Sequence, residues 1–233
     1  MSQSLLFEIP PSPSVGVRGE SARYPVHRIF CVGRNYAAHA AEMGVEVDRE
    51  APFYFTKSAS AIAHSGSSAP YPPGTSNFHY EMELVVAIGQ PAFKVSVDDA
   101  MQAVYGYACG LDMTRRDLQL AERAKQRPWD LGKDVEHSAV IAEITRAKDF
   151  QALGDQRICL KVGEDIKQDA RLSELIWKVP EIISHLSGFY HLQPGDLIYT
   201  GTPAGVGPVV PGDVLYGEID GLTSLTFTIS NPE

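Results

Sequence analysis

Glu81 and Glu83 sit two apart at the entry to the apolar run Leu84-Val85-Val86. Residues i and i+2 of a strand share a face, so their carboxylates converge. Converging carboxylates repel each other and are costly to bury unless a cation neutralises them, which suits a hard metal ion; a pair on a solvated sheet edge is the competing reading. A second apolar run, Tyr105 to Leu111, ends in Asp112, a third carboxylate at a strand terminus. Three oxygen ligands with positions left for water and substrate oxygens suit Mg²⁺ or Mn²⁺.

His39 and Glu42 lie three apart in a helical pattern, hence on one face, where Glu42 can orient the imidazole and His39 can take a proton from water. An incidental helix pair is the alternative. In Thr200-Gly201-Thr202-Pro203-Ala204-Gly205 the glycine-flanked Thr202 can offer an amide and a hydroxyl to a carboxylate, or the segment is a plain turn. It lacks Gly-Lys-Ser/Thr and is followed by Pro208 rather than a helix, which excludes a nucleotide site.

The elements that must hold these groups are mostly strands. Arg28 to Val32, Phe53 to Thr56, Glu83 to Ile88, Tyr105 to Leu111, Ile158 to Val162, Leu197 to Thr200, Val214 to Ile219 and Ser224 to Ile229 are rich in β-branched or aromatic residues. Helical periodicity is confined to Tyr36 to Met43, Val97 to Ala103, Thr114 to Lys125 and Leu172 to Leu186. The reading is α+β, mainly β: one domain over residues 26–233, preceded by an extended leader over residues 1–25 that carries Pro10, Pro11, Pro13 and Pro25. Gly33 and Gly44 flank the dyad, so residues 36–50 are expected to act as a lid.

Composition narrows the function. Twenty Lys plus Arg against 29 Asp plus Glu give a charge of -9, which opposes nucleic-acid binding and requires any anionic substrate to meet a local cation cluster or a metal. Cys31, Cys109 and Cys159 are widely spaced and read as buried thiols, not as a disulfide framework or zinc site. No run approaches the ~20 apolar residues that span a bilayer, and no basic stretch precedes Leu5-Leu6-Phe7, so a cytoplasmic enzyme with no membrane partner is expected.

His79-x-Glu81-x-Glu83, followed by Gly106-Tyr107 and by Asp112-Met113-Thr114-x-Arg116-Asp117, resembles the fumarylacetoacetate hydrolase family. The resemblance continues through Gly33 to Met43 and Thr200 to Pro208, over roughly residues 26 to 230. Cys31 to Tyr36 and the Asp48-Arg49-Glu50-x-Pro52-Phe53 stretch are most similar to its fumarylpyruvate-cleaving members. The resemblance implies a mixed β-sandwich roll with a few short helices, a homodimer, and a divalent ion on Glu81, Glu83 and Asp112. It also implies a small anionic β-diketo acid as substrate, an acylpyruvate whose carbon–carbon bond is hydrolysed by water activated at His39 and Glu42. Lys133 would add a second positive contact, and Arg116, Gln119 and Thr202 would reach the substrate. Fumarylpyruvate carries a carboxylate at each end, and Arg34, Lys57 and Arg116 are the candidates for the distal one. Asp134 and Glu136, beside Lys133, depart from the family pattern and put the local charge balance in question. An oxaloacetate decarboxylase or keto-enol tautomerase on the same scaffold is the alternative, because it shares the enolate step.

Overall fold

Alternation along the strand Met82–Ile88 turns Leu84, Val86 and Ile88 to one face and Val85 and Ala87 to the other, and both faces are buried. A strand apolar on both sides belongs in the middle of a layered structure. In the computed structural model, which describes residues 6–8, 10–42, 44 and 49–233, it lies inside an eight-stranded sheet. The order is Phe53–Lys57, Ile29–Gly33, Leu197–Tyr199, Met82–Ile88, Val104–Asp112, Ala139–Ile141 and Ile62–His64, with Thr145–Arg146 also paired to Val104–Asp112. The sheet is mixed: Leu197–Tyr199 runs parallel to Ile29–Gly33, and Ala139–Ile141 parallel to Ile62–His64.

A five-stranded sheet, ordered Asp165–Arg171, Arg157–Val162, Val214–Ile219, Leu225–Ser230 and Ser68–Pro70, packs on the first. Leu84, Val86, Cys109 and Leu111 meet Ile158, Leu160, Leu215 and Phe227 in the core between them. On the opposite face Ile29, Cys31, Val85, Ala108, Ile141 and Tyr199 form a second core. Val15, Val17 and Tyr24, from a short hairpin pairing Ser14–Val15 with Tyr24–Pro25, cover it. The fold is the mainly β arrangement expected, and all three cysteines are buried free thiols.

Several local expectations are corrected. The helix expected over Thr114 to Lys125 begins only at Arg116, because Thr114–Arg115 pairs with the strand Phe78–Tyr80. The helix expected over Leu172 to Leu186 is broken into a single turn, Leu172–Glu174, and a helix, Val179–Ser187. Pro180 has no amide N–H to continue an earlier helix and fits only the first turn of a new one, Lys178 is extended, and Glu181 closes the new N-terminus by accepting from the Lys178 amide at 2.7 Å. Val97 to Ala103 contributes only the 3-10 turn Ala100–Ala103. Of the expected lid, Met43 and residues 45–48 lie outside the described residues.

Gly110, paired with Glu83, has no space for a side chain: an added Cβ would lie 2.4 Å from a Val85 methyl, 2.8 Å from the Tyr199 ring and 3.1 Å from the Val140 carbonyl oxygen. Gly110→Ala is therefore expected to lower stability by about 1–3 kcal/mol, the usual cost of overpacking, seen as a lower urea midpoint at unchanged slope. An unchanged midpoint would mean that the centre of the sheet yields freely around Val85 and Tyr199.

Candidate active site

The three carboxylates meet because two strands end side by side. Met82–Ile88 and Val104–Asp112 are antiparallel neighbours, and the Asp112 amide donates to the Glu81 carbonyl at 2.9 Å. Glu83 and Asp112 fall on the same face as Val85 and Ala108, the face of the second core. Glu81, Glu83 and Asp112 are all buried, and one ligand oxygen of each lies within 4.8 Å of the others.

Three buried cations surround them. Lys133, from the short helix Asp130–Lys133, donates to Glu81 Oε2 at 2.7 Å, Asp112 Oδ2 at 2.7 Å and Thr114 Oγ1 at 2.8 Å. Arg116, at the start of helix Arg116–Ala124, donates to Glu81 Oε1 and to Gln119 Oε1. Lys57 Nζ lies 2.9 Å from Asp112 Oδ1 and donates to Ser138 Oγ at 2.8 Å and to the Met113 carbonyl at 3.1 Å.

The result is uneven. Burial opposes ionisation of Glu81, but Lys133 and Arg116 pull its carboxyl below the ordinary range. Burial also opposes the charge on Lys133, and Asp112 and Glu81 overcome it. Glu83 has no cationic partner among the described residues; its Oε2 accepts only the Gly201 amide, at 2.7 Å. Burial, then repulsion from Asp112 and Glu81, pushes its carboxyl well above the usual value. Asp112 Oδ1, despite its ion pair with Lys57, accepts no hydrogen bond. A buried carboxylate without a cation beside an unbonded carboxylate oxygen fits a divalent cation held by Glu81, Glu83 and Asp112.

His39 stands across the cavity on the helix Ala37–Glu42, buried, with Nδ1 3.2 Å from Glu42 Oε2. With Nδ1–H donating to that carboxylate, Nε2 is left as the acceptor facing outward from the pair. The loop after Thr200 ties both halves together: the Gly201 amide holds Glu83, and the Gly205 amide donates to Glu42 at 3.2 Å. Gly201 has φ 100°, and a Cβ there would lie 2.6 Å from that of Asn35, so only glycine fits this turn.

Of the residues singled out from sequence, Arg34, His39, Glu81, Glu83, Arg116, Gln119, Lys133 and Thr202 line one inner cavity of about 30 Å³. Asp112 sits behind it, fully buried. Lys57 does not line it; its ammonium is committed to Asp112 and the groups behind it, so it is a structural counter-ion and not a substrate cation. Asp134 turns to Ser58, accepting from its amide at 2.8 Å and its hydroxyl at 2.6 Å, and Glu136 is exposed, so neither disturbs the cavity's charge. His79 supports Arg116 from behind; burial, then Arg116, lowers its pKa to about 4, and it is neutral with Nε2–H donating to Asn77 at 2.9 Å.

Four contributors were missed. Arg123 and Trp129 line the cavity. Asn35 clamps the Thr200 carbonyl at 2.8 Å and the Trp177 amide at 2.7 Å, and Gln168 bridges the Met82 amide and Thr202. Two carried a signal: Asn35 by its place in the Gly33 to Tyr36 motif, and Arg123 by its helical spacing from Arg116 and Gln119.

A carboxyl whose pKa rises on folding binds its proton more tightly folded than unfolded, so its contribution to stability falls as pH climbs from about 4.5 toward the raised value. The metal-free protein is therefore expected to lose stability over that climb, and Glu83→Gln to flatten the loss and be more stable than wild type when metal-free at neutral pH. Added Mn²⁺ should raise the wild-type melting temperature, by the equivalent of about 2.7 kcal/mol at a hundredfold excess over Kd, and leave Glu83→Gln almost unmoved. A variant that kept the full Mn²⁺ shift would remove Glu83 from the ligand set.

The sequence pattern of the fumarylacetoacetate (FAA) hydrolase C-terminal family matches residues 28–230. A fumarylpyruvate hydrolase of a Ralstonia species is 53% identical over 193 residues, covering 82% of this chain and all of that one. A mitochondrial oxaloacetate tautomerase of Homo sapiens is 40% identical over 205 residues, covering 88% of this chain and 92% of its own. The crystal structure of fumarylpyruvate hydrolase from Pseudomonas aeruginosa in complex with Mn²⁺ and pyruvate superposes with a TM-score of 0.94 at 44% identity, over 98% of this chain and 100% of that one. With a match spanning nearly its whole length and the carboxylate cluster in place, the chain belongs to the fumarylacetoacetate hydrolase family.

Proposed function

We propose that this chain is a divalent-metal-dependent hydrolase that cleaves the carbon–carbon bond of fumarylpyruvate, giving fumarate and pyruvate. The observation that carries the reading is that His39, held by Glu42, lines the same cavity as Glu81, Glu83 and Lys133. A water-activating group and an enolate-stabilising centre therefore face one small space. The relatives that cleave fumarylpyruvate support the substrate.

Charge agrees with this chemistry. Three ionised carboxylates are balanced by Lys57, Arg116 and Lys133, so a divalent ion leaves the centre with two net positive charges. That matches the pyruvate enolate, which carries a carboxylate and an enolate oxygen. When bound, Mg²⁺ or Mn²⁺ on Glu81, Glu83 and Asp112 supplies Lewis-acid stabilisation of that developing charge.

The chain's own residues do the rest. His39 Nε2 takes a proton from water, Glu42 stabilises the imidazolium and fixes its tautomer, and the hydroxide adds to the acyl carbonyl carbon. The adduct collapses by breaking its bond to the CH₂ of the pyruvoyl group, releasing the acid and the enolate; the proton held on His39 then goes to the enolate carbon. Gln119, its Oε1 occupied by Arg116, has Nε2 free of partners among the described residues and can donate to the substrate. Lys133, in the cavity wall, adds positive charge beside the enolate.

In this reading residues 26–233 act as one catalytic domain and residues 1–25 as a leader, and the chain works as a homodimer in the cytoplasm; light scattering of the purified protein tests the dimer. No helix among the described residues is long and apolar enough to cross a membrane. Oxaloacetate tautomerase relatives share the enolate step but do not require attack by water.

His39→Ala is expected to lower turnover of fumarylpyruvate by a factor on the order of 10² to 10⁴, the usual contribution of a general base, while still binding oxalate or pyruvate. Calorimetric titration beside steady-state kinetics separates the two effects. Equal loss of binding and turnover would make His39 structural, and wild-type turnover of oxaloacetate alone would transfer the assignment to the tautomerase reading.

A further inference from the structure

The inner cavity, at about 30 Å³, is the narrow end of a larger opening. It opens into an outer cavity of about 510 Å³ that shares Arg34, Phe55, Arg123, Trp129 and Lys133 with it. Whatever lies beyond the scissile bond must extend past those residues.

The cations at this junction differ from those inside. Arg116 and Lys133 are consumed by Glu81 and Asp112. Arg34 and Arg123 have no carboxylate partner among the described residues, and both line both cavities. Burial and then repulsion from Arg123 lower the Arg34 pKa, so the two guanidinium groups are close enough to oppose each other.

Arg34 is also held in place. Its backbone has φ 59°, a region non-glycine residues rarely occupy, and its guanidinium lies 5.6 Å from the Phe53 ring centre and 5.7 Å from that of Trp129. A strained, aromatic-clamped arginine facing a second unpaired arginine is a pre-formed anion site. The acids nearby are not paired with it: Glu81 and Glu83, in the inner cavity, are held by Arg116, Lys133 and the Gly201 amide, and Asp130 lines only the outer cavity, where Arg127 also stands.

We propose that Arg34 and Arg123 together bind the carboxylate at the far end of the acyl group, with the planar acyl chain against Trp129 and Phe55, and so select acylpyruvates that are dicarboxylates over those ending in a methyl group. Arg123 is thereby a specificity-determining residue. The inference rests on the acylpyruvate reading of the inner site and adds the subsite that reading lacks.

The test compares kcat/KM for fumarylpyruvate and acetylpyruvate in wild type, Arg34→Gln, Arg123→Gln and Arg123→Lys, with Mn²⁺ present. Each Gln variant should lower the fumarylpyruvate-to-acetylpyruvate ratio at least about tenfold, as expected for loss of a charge-assisted hydrogen bond. Arg123→Lys should recover part of the ratio, because the charge stays but the two-point contact is lost. Inhibition by fumarate should weaken with the ratio, and inhibition by oxalate should not. A ratio unchanged in both Gln variants, in enzymes that still cleave acylpyruvates, overturns the subsite alone. A wild type that cleaves neither acylpyruvate overturns the function it rests on.

Discussion

Glu83 is the point of tension on which the site depends. It is buried beside two other carboxylates, and no cation among the described residues pairs with it. Each neighbour is already neutralised, Glu81 by Arg116 and Lys133, and Asp112 by Lys133 and Lys57. Removing one partner of such a buried pair costs about 3–5 kcal/mol, so these contacts hold the carboxylates at fixed positions before any ion arrives. The polypeptide thus builds an incomplete cluster, rigid where it is paired and short of one cation where it is not.

That rigidity comes from the sheet and not from the loops. The ligands sit at the adjoining ends of two central strands buried on both faces, and Gly110 lets Val85, Tyr199 and Val140 close in between them. The loop from Thr200 to Gly205 carries the geometry across the cavity. One of its amides holds Glu83, another Glu42, while Asn35 and Gln168 fix its two sides. Glu83 and Glu42 are therefore linked through a few backbone atoms, and a distortion at either would be felt at the other.

The parts of this site legible in the sequence were those set by short-range periodicity. Glu81 and Glu83 share a face because they are two apart, and His39 meets Glu42 because they are three apart. Asp112 was placed by the end of an apolar run, although only the strand register puts it beside Glu81. Lys57 showed the limit of that logic: ending a strand near the site, it looked available, but the third dimension gives it to Asp112. Arg123 lies seven residues after Arg116 and four after Gln119, on the same helix face, so the same periodicity reaches it, whereas Trp129 comes from the irregular segment after the helix and follows no pattern. The strand Asp165–Arg171 was invisible for a different reason. It is an edge strand with only Gln168 buried, so it has no apolar alternation, yet that one glutamine braces the Thr202 loop.

The chain's net charge of -9 sharpens the contrast between its field and its site. A dianionic substrate approaches against the mean potential, so recognition must come from charges the fold leaves unspent at short range. Inside, the chain's cations are spent on its own carboxylates, and the attraction there comes from the ion they hold. Arg34 and Arg123 are the cations left over at the junction of the two cavities. An enolate centre alone serves cleavage and tautomerisation equally, because both pass through the same charge. In the proposed function, what separates them is the rest of the wall: the His39–Glu42 pair as the base that raises hydroxide, and room with positive charge for a long acyl group. The second feature comes from the loop at Arg34 and the last turn of the helix Arg116–Ala124, where Arg34 and Arg123 pair with none of the three carboxylates, whereas the dyad is tied to Glu83 through the Gly201–Gly205 loop, so the far end of the substrate can change in this fold more freely than the reaction.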